Sequence, residues 1–335
     1  MSGGYVPYSL RLNKAVERQL FVELLTRISR AYRIENYRYI SFGGTFFEDF
    51  KLVHSNFGLK KMISLEGNQN VYIRQNFNIP YTCIKTLNVT SGDFINSIDD
   101  VKINSIIWLD YADAKRQYEQ LIELQELIRR LKHGDVVKIT LNANLAALKQ
   151  GGIMPGTARN YDKYELRELR FKEIQNRIGD FLPNSVTEEF LDEKRYPELL
   201  SKAVEVATVR AAADRLDGSI FKPLATYCYK DSEHTMLTIT GVLENSNKIN
   251  EFINKTSLNN WPFSALEWGK FHKINLPILT PKEKFHLDQM LPLNNKNKMK
   301  KLKFKLAHKD VDNEELINAY VKYYRYYPSF HKVNF

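Results

Sequence analysis

Between residues 37 and 144 the chain alternates short, nearly continuous apolar runs with stretches of helical periodicity, and no other feature of the sequence restricts the fold as much. The runs "YRYISFGG", "KKMISLEG", "YTCIKTLNV", "INSIIWLDYAD" and "DVVKITLNAN" bracket the helical stretches "FFEDFKLVHSNFG", "NQNVYIRQNFN" and "AKRQYEQLIELQELIRRLKHG". Runs this short and this apolar suit strands covered on both faces, and regular strand-helix alternation requires parallel strands joined by right-handed crossovers. The pattern predicts a doubly wound α/β sheet. Gly58 and Gly134 stand where a left-handed residue would stop a helix before the next strand. Upstream, Val16, Leu20, Leu24 and Ile28 recur at helical spacing, so an amphipathic helix within residues 12–36 is expected to pack on the sheet.

After residue 150 the pattern changes. "GGIMPG" reads as a loop, and residues 151–217 read as charged amphipathic helices forming a helical insertion. "FKPLATYCYKD" and "HTMLTITGVL", separated by "DSE", carry a hairpin signal, so the parallel sheet of six or seven strands is expected to close with an antiparallel hairpin and a reversed edge strand. This divides the chain into a sheet core of residues 1–150 and 218–260, an insertion of 151–217, and a helical, basic extension of 261–335. In the extension, Thr280, Pro281 and Glu283 form a helix-start signature.

The net charge of +10, from 49 Lys and Arg against 39 Asp and Glu, favours an anionic partner: nucleic acid, a nucleotide or an acidic protein surface. Cys83 and Cys228 lie in apolar runs and read as reduced core residues. With no leader pattern and no apolar run near the ~20 residues that span a bilayer, the chain is expected to be cytoplasmic with no membrane association. The C-terminal lysines, from Lys296 to Lys305, suit phosphates, and Tyr323, Tyr324, Tyr326 and Tyr327 could stack on bases or pack on a neighbouring element.

Strand ends carry the candidate site. Gly43-Gly44 follows the first strand, where a glycine turn either brings backbone amides close to a ligand or only turns a corner. Glu66 ends the second strand, placed to accept from ribose hydroxyls. After the third strand, Asp93 and Phe94 in "SGDF" are placed for an adenine ring or simply form a polar turn. Asp110, Tyr111 and Asp113 end the fourth strand and Asn142 and Asn144 the fifth, all at the edge where open α/β sheets bind ligands. No metal-ligand spacing appears, and His234 stands alone in its turn. Asp110 and His54 are the candidate general bases, His54 having a packed helical histidine as its plain alternative.

The order of these parts resembles the class I S-adenosylmethionine-dependent methyltransferase fold, a Rossmann-like sheet. More narrowly, "NKAVER", "FGGTFFEDFKLVHSNFGLKKMISLE", "WLDY" and "LTITGVL" resemble a group of bacterial proteins described as putative O-methyltransferases. The resemblance implies S-adenosylmethionine as cofactor, with Gly43 and Gly44 at its methionine moiety, Glu66 at the ribose, Asp93 and Phe94 at the adenine, and Asp110 near the transferred methyl. It also implies methyl transfer to an oxygen or nitrogen acceptor, with Asp110, Tyr111 and His54 as catalytic candidates. Two positions depart from the pattern: Ser41 stands where the first strand usually carries an acid, and Phe46 replaces a third glycine. These departures support the rival expectation, a non-catalytic cofactor- or nucleotide-binding partner subunit of a nucleic-acid-associated complex.

Overall fold

The computed structural model describes residues 11–98, 103–149, 162–231, 234–292, 302, 304–306 and 312–328. The leading helix, α1 (Leu12–Ile28), buries Val16, Leu20, Leu24 and Ile28 completely, as their spacing predicts. Then come β1 (Arg38–Ser41), α2 (Glu48–Phe57), β2 (Met62–Leu65), α3 (Gln69–Phe77), β3 (Ile84–Leu87), α4 (Ser91–Ser97), β4 (Ser105–Asp110), α5 (Gln117–Arg130) and β5 (Val136–Asn142). Two helices, α6 (Lys163–Ile178) and α7 (Tyr196–Ala213), precede the hairpin β6 (Ser219–Asp231) and β7 (His234–Asn245). The chain continues through α8 (Ile249–Thr256), β8 (His272–Ile274), α9 (Pro281–Asp288) and α10 (Asn313–Tyr323).

Among the described residues the strands form one eight-stranded sheet in the order β3-β2-β1-β4-β5-β7-β6-β8. Strands β1 to β5 are mutually parallel, while β7 runs antiparallel to both β5 and β6. The reversed strand is therefore internal rather than an edge. The edge position falls to β8, which pairs parallel to β6 and brings part of the C-terminal extension into the sheet. Its three residues carry no periodicity from which a strand could be read.

Alternation along the strands splits the core into two layers. Tyr39, Ile106, Trp108 and Val136 face α1 and α2, and Ile40, Ile107, Leu109, Val137 and Ile139 face α5 and α7. Because Leu199, Leu200, Ala203, Val204 and Ala207 of α7 are fully buried in that second layer, this helix covers the sheet instead of standing apart from it.

Local signals explain most boundaries. Gly58 stops α2 in the left-handed region at φ 62°, as expected. Gly134, at φ +87°, instead sits in the turn before β5, because α5 ends at Arg130 where Leu131 turns extended and enters the core. At α9 the Thr280 hydroxyl accepts from Glu283 N–H, and the Glu283 carboxylate accepts from Thr280 N–H at 2.8 Å. Cys83 and Cys228 are both free thiols, and burial pushes Cys228 up to about 12.

Candidate active site

All the parallel strands, β6 among them, end at one edge, where β7 begins. The turn after β1 is tight for a steric reason. A Cβ on Gly43 would lie 2.6 Å from Ser64 Oγ and 2.8 Å from the Phe47 ring, while Gly43 N–H donates to Ser64 Oγ at 3.0 Å. Gly44, at φ +52°, has open space where its Cβ would stand. Phe47 also takes a left-handed conformation, at φ 52°, unusual for a bulky residue. Its ring, fully buried, packs edge-on against Phe50 at 5.5 Å. Gly43 thus turns a packed corner, and Gly44 has open space beside its backbone.

Glu66 stands half-buried at the end of β2, and one carboxylate oxygen accepts from Asn68 N–H at 2.8 Å. Burial pushes its carboxyl above the ordinary range against that hydrogen bond. Asp93 is exposed in the first turn of α4, where the Thr90 hydroxyl donates to it at 2.7 Å and accepts from its N–H at 3.1 Å. Phe94 is buried in the core layer with Ile95, Leu121 and Leu124. So "SGDF" is a helix start rather than an irregular turn, and its aromatic ring is committed to packing.

Tyr111 donates from its hydroxyl to Glu123 of α5, and burial first, then that carboxylate, raise the phenol well above its ordinary value. It is held neutral as a donor. Asn142 donates to Ala112 O at 2.9 Å and accepts from Asn144 N–H at 3.0 Å, tying the loop after β4 to the loop after β5. Arg177 of α6 reinforces both, donating to Ala114 O at 3.2 Å and Ala147 O at 3.0 Å.

His54 is not brought to this edge. Helix α2 runs back toward the amino ends of the strands, leaving His54 Nδ1 3.0 Å from Leu59 O and its ring 4.6 Å from Tyr81, residues that precede β2 and β3. The packed alternative describes it.

What the sequence reading missed is a buried charged layer between α1 and the sheet. Lys14 Nζ lies 3.6 Å from Asp110 Oδ2 and 3.1 Å from Asp231 Oδ2, and Arg11 reaches Asp231 at 2.8 Å. Arg18 forms a two-pronged pair with Asp49, the buried acid in the first turn of α2. Glu17 Oε1 and Lys138 Nζ of β5 form an ion pair at 2.8 Å, and the Lys138 ammonium stands 3.4 Å from the Trp108 ring centroid. The Tyr229 hydroxyl is buried there with no hydrogen-bond partner among the described residues. Burial by itself would raise Asp110, but Lys14, Arg18, Lys138 and a hydrogen bond from Thr140 outweigh it and hold the carboxyl below its usual value. The signal was present in "NKAVER": Lys14 and Arg18 lie four apart, as do Asn13 and Glu17, which makes a polar stripe beside the apolar one.

The tail tyrosines are also accounted for. Tyr323 is fully buried and donates to Lys273 O at 3.1 Å, Tyr326 donates to Glu23 of α1, and Tyr327 donates to Pro277 O at 2.9 Å. They pack; as a set they are not free to stack on bases. Of the lysine run, Lys296 to Lys303 lie outside the described residues, and Lys305 is exposed.

A family model described as "Putative O-methyltransferase" matches residues 6–335, and the chain belongs to that family. Its cofactor is accordingly S-adenosylmethionine. No curated protein matches the chain. Among solved structures, Trm1 from Pyrococcus horikoshii in complex with S-adenosyl-L-methionine is similar at 13% identity and TM-score 0.47, over 71% of this chain and 57% of that one. The N-methyltransferase NodS from Bradyrhizobium japonicum WM9 is similar at 8% identity and TM-score 0.38, over 68% and 97%. Among the described residues no helix is long and apolar enough to cross a membrane, and no group of three or more His, Cys, Asp or Glu side chains could hold a metal ion.

Proposed function

We propose that this chain transfers a methyl group from S-adenosylmethionine to a hydroxyl oxygen, with Asp110 taking the proton that the hydroxyl loses. The observation that carries the reading is Asp110 itself, a carboxylate held charged at the end of the central strand β4 by cations on two elements. The residues fit the cofactor on independent grounds. Gly44 leaves room for a close approach of backbone, Glu66 keeps a carboxylate oxygen without a protein partner among the described residues, and Tyr229 has an unpartnered buried hydroxyl beside the charged layer. An α-amino acid end needs both signs of charge, and the layer offers both: Asp110 and Asp49 for an ammonium, Lys14 and Arg18 for a carboxylate.

When bound, the cofactor supplies a methyl group already activated on a sulfonium. What remains for the protein is alignment and proton removal. Glu66 would accept from ribose hydroxyls, the Gly43-Gly44 backbone would hold the chain close, and the loops pinned by Asn142 and Arg177 would hold the acceptor side steady. The net charge of +10 favours a nucleic acid or nucleotide as the acceptor. A binding subunit that does not turn over would share every residue named, with Asp110 then serving the ammonium alone.

Calorimetry with S-adenosylhomocysteine and 5′-methylthioadenosine, which lacks the amino-acid end, tests the reading. Glu66→Ala should weaken both by about 1.5–3 kcal/mol, the scale of a hydrogen bond to a charged group. Asp110→Asn should weaken the first and spare the second. No binding of either at millimolar concentration would sink the proposal.

A further inference from the structure

From Phe50 to Gly92 the chain carries five cations, Lys51, Lys60, Lys61, Arg74 and Lys85, against a single acid, Glu66. That acid stands at the carboxyl edge of the sheet, away from the end where Lys60 and Lys61 lie. All five cations are exposed, and none has an acidic partner among the described residues. Several surface charges elsewhere are paired, as Arg116 with Glu119, Arg129 with Asp214 and Lys273 with Glu315; what marks this corner is that its cations lie among exposed rings with no acid near them in the chain but Glu66. The same region presents large apolar side chains to solvent. Phe77 is 89% exposed and Ile73 57%, one turn apart on α3, and Tyr81 is 36% exposed.

The fold gathers these residues at the outer end of the sheet. β3 is the last strand on that side, and Met62 pairs with Ile84, so Lys60-Lys61 and Thr82-Cys83 lie at the same end of neighbouring strands. Tyr81 is held there by the His54 ring at 4.6 Å, and Asn78 N–H, donating to Arg74 O at 3.2 Å, closes the end of α3, the helix that carries Arg74 and Phe77.

We propose that this outer corner, formed by Lys60, Lys61, Arg74, Phe77 and Tyr81, is a docking surface for single-stranded nucleic acid. Unpaired cations match a phosphate backbone by charge. Exposed aromatic rings between them match unpaired bases, which every sequence offers and a duplex hides. An acidic protein would use the cations and leave Phe77 idle. The surface lies at the opposite edge from Asp110 and does not depend on cofactor binding, so it stands or falls separately from the proposed methyl transfer.

The test uses the full chain without cofactor and a fluorescent 20-nucleotide uridine or thymidine homopolymer, with anisotropy read between 50 and 300 mM salt. The log of the affinity should fall linearly with the log of the salt concentration. Replacing three cations together, Lys60→Gln, Lys61→Gln and Arg74→Gln, should flatten that slope by about 2, at roughly 0.7 for each phosphate contact on a single strand. Phe77→Ala should weaken binding about 5-fold or more with the slope unchanged, the lower end of what one stacked base contributes. The substituted side chains are exposed, and matching thermal melts would show both variants folded. Binding unchanged in both variants would overturn the proposal and move the contact to another part of the chain. Equal competition by polyglutamate, together with a neutral Phe77→Ala, would overturn it in favour of an acidic protein, and absence of binding at 50 mM salt would overturn it outright.

Discussion

Glu17 and Lys138 are both fully buried and 2.8 Å apart, with Phe21 and Trp108 around the ammonium. Removing one member of such a pair leaves the other charge buried without compensation, at a cost of about 3–5 kcal/mol, whereas replacing both by apolar groups of similar volume is often neutral. Lys138→Met should therefore lower stability in urea unfolding by that amount, and adding Glu17→Leu should recover most of it. Asp110 gives a pH signature. Its folded pKa is depressed, so its contribution is complete above the ordinary carboxylate value of about 4 and is lost as pH falls through the lower folded value. Thermal melts between pH 6 and pH 2 should show a steeper acid loss in the native protein than in Asp110→Asn. The spacing of Glu17 was visible in the polar stripe of α1, but neither its burial nor its pairing with Lys138 could be read, since a charged residue in a helix or strand reads as solvated until its partner across the fold is known. Glu66 and Asp110 were legible because a strand end restricts where a side chain can go.

At the level of elements, the C-terminal tyrosines fasten the end of the chain to the sheet rather than offering a face to a partner. Tyr323 stacks on Phe263 at 5.4 Å with no exposed surface, and Tyr323→Ala should cost about 3–5 kcal/mol, as truncating a buried aromatic does, with little effect on nucleic-acid affinity. Arg177 makes α6 a brace for the two loops at the active edge. Arg177→Ala should speed amide hydrogen exchange in residues 112–116 and 143–149 while leaving α5 protected. Long elements with strong periodicity, α1, α5 and α7, were readable. Helix α4 and strand β8 were not, being seven and three residues long and defined by capping and pairing instead of by pattern.

For the molecule as a whole, the two edges of one sheet carry different chemistry. The carboxyl edge holds a dense, mutually compensated set of charges under α1, and the outer amino corner holds cations with no compensation. The net charge of +10 is thus a poor guide to any one surface. If both readings hold, cofactor analogues and oligonucleotide should bind together without competing, which a titration of one at saturation of the other would show as an unchanged midpoint.

Strand-helix alternation, the glycine turn, the hairpin and the acids at strand ends follow from the sequence alone, because hydrophobic period and turn chemistry are local properties. The interior position of β7, the joining of β8, the removal of His54 to the far edge and the burial of Lys14, Glu17 and Arg18 against Asp110, Lys138 and Asp49 were decided by the tertiary structure. The reason is physical: whether a charge meets water or an opposite charge depends on residues more than a hundred positions away, as Glu17 does on Lys138, and only packing brings them together.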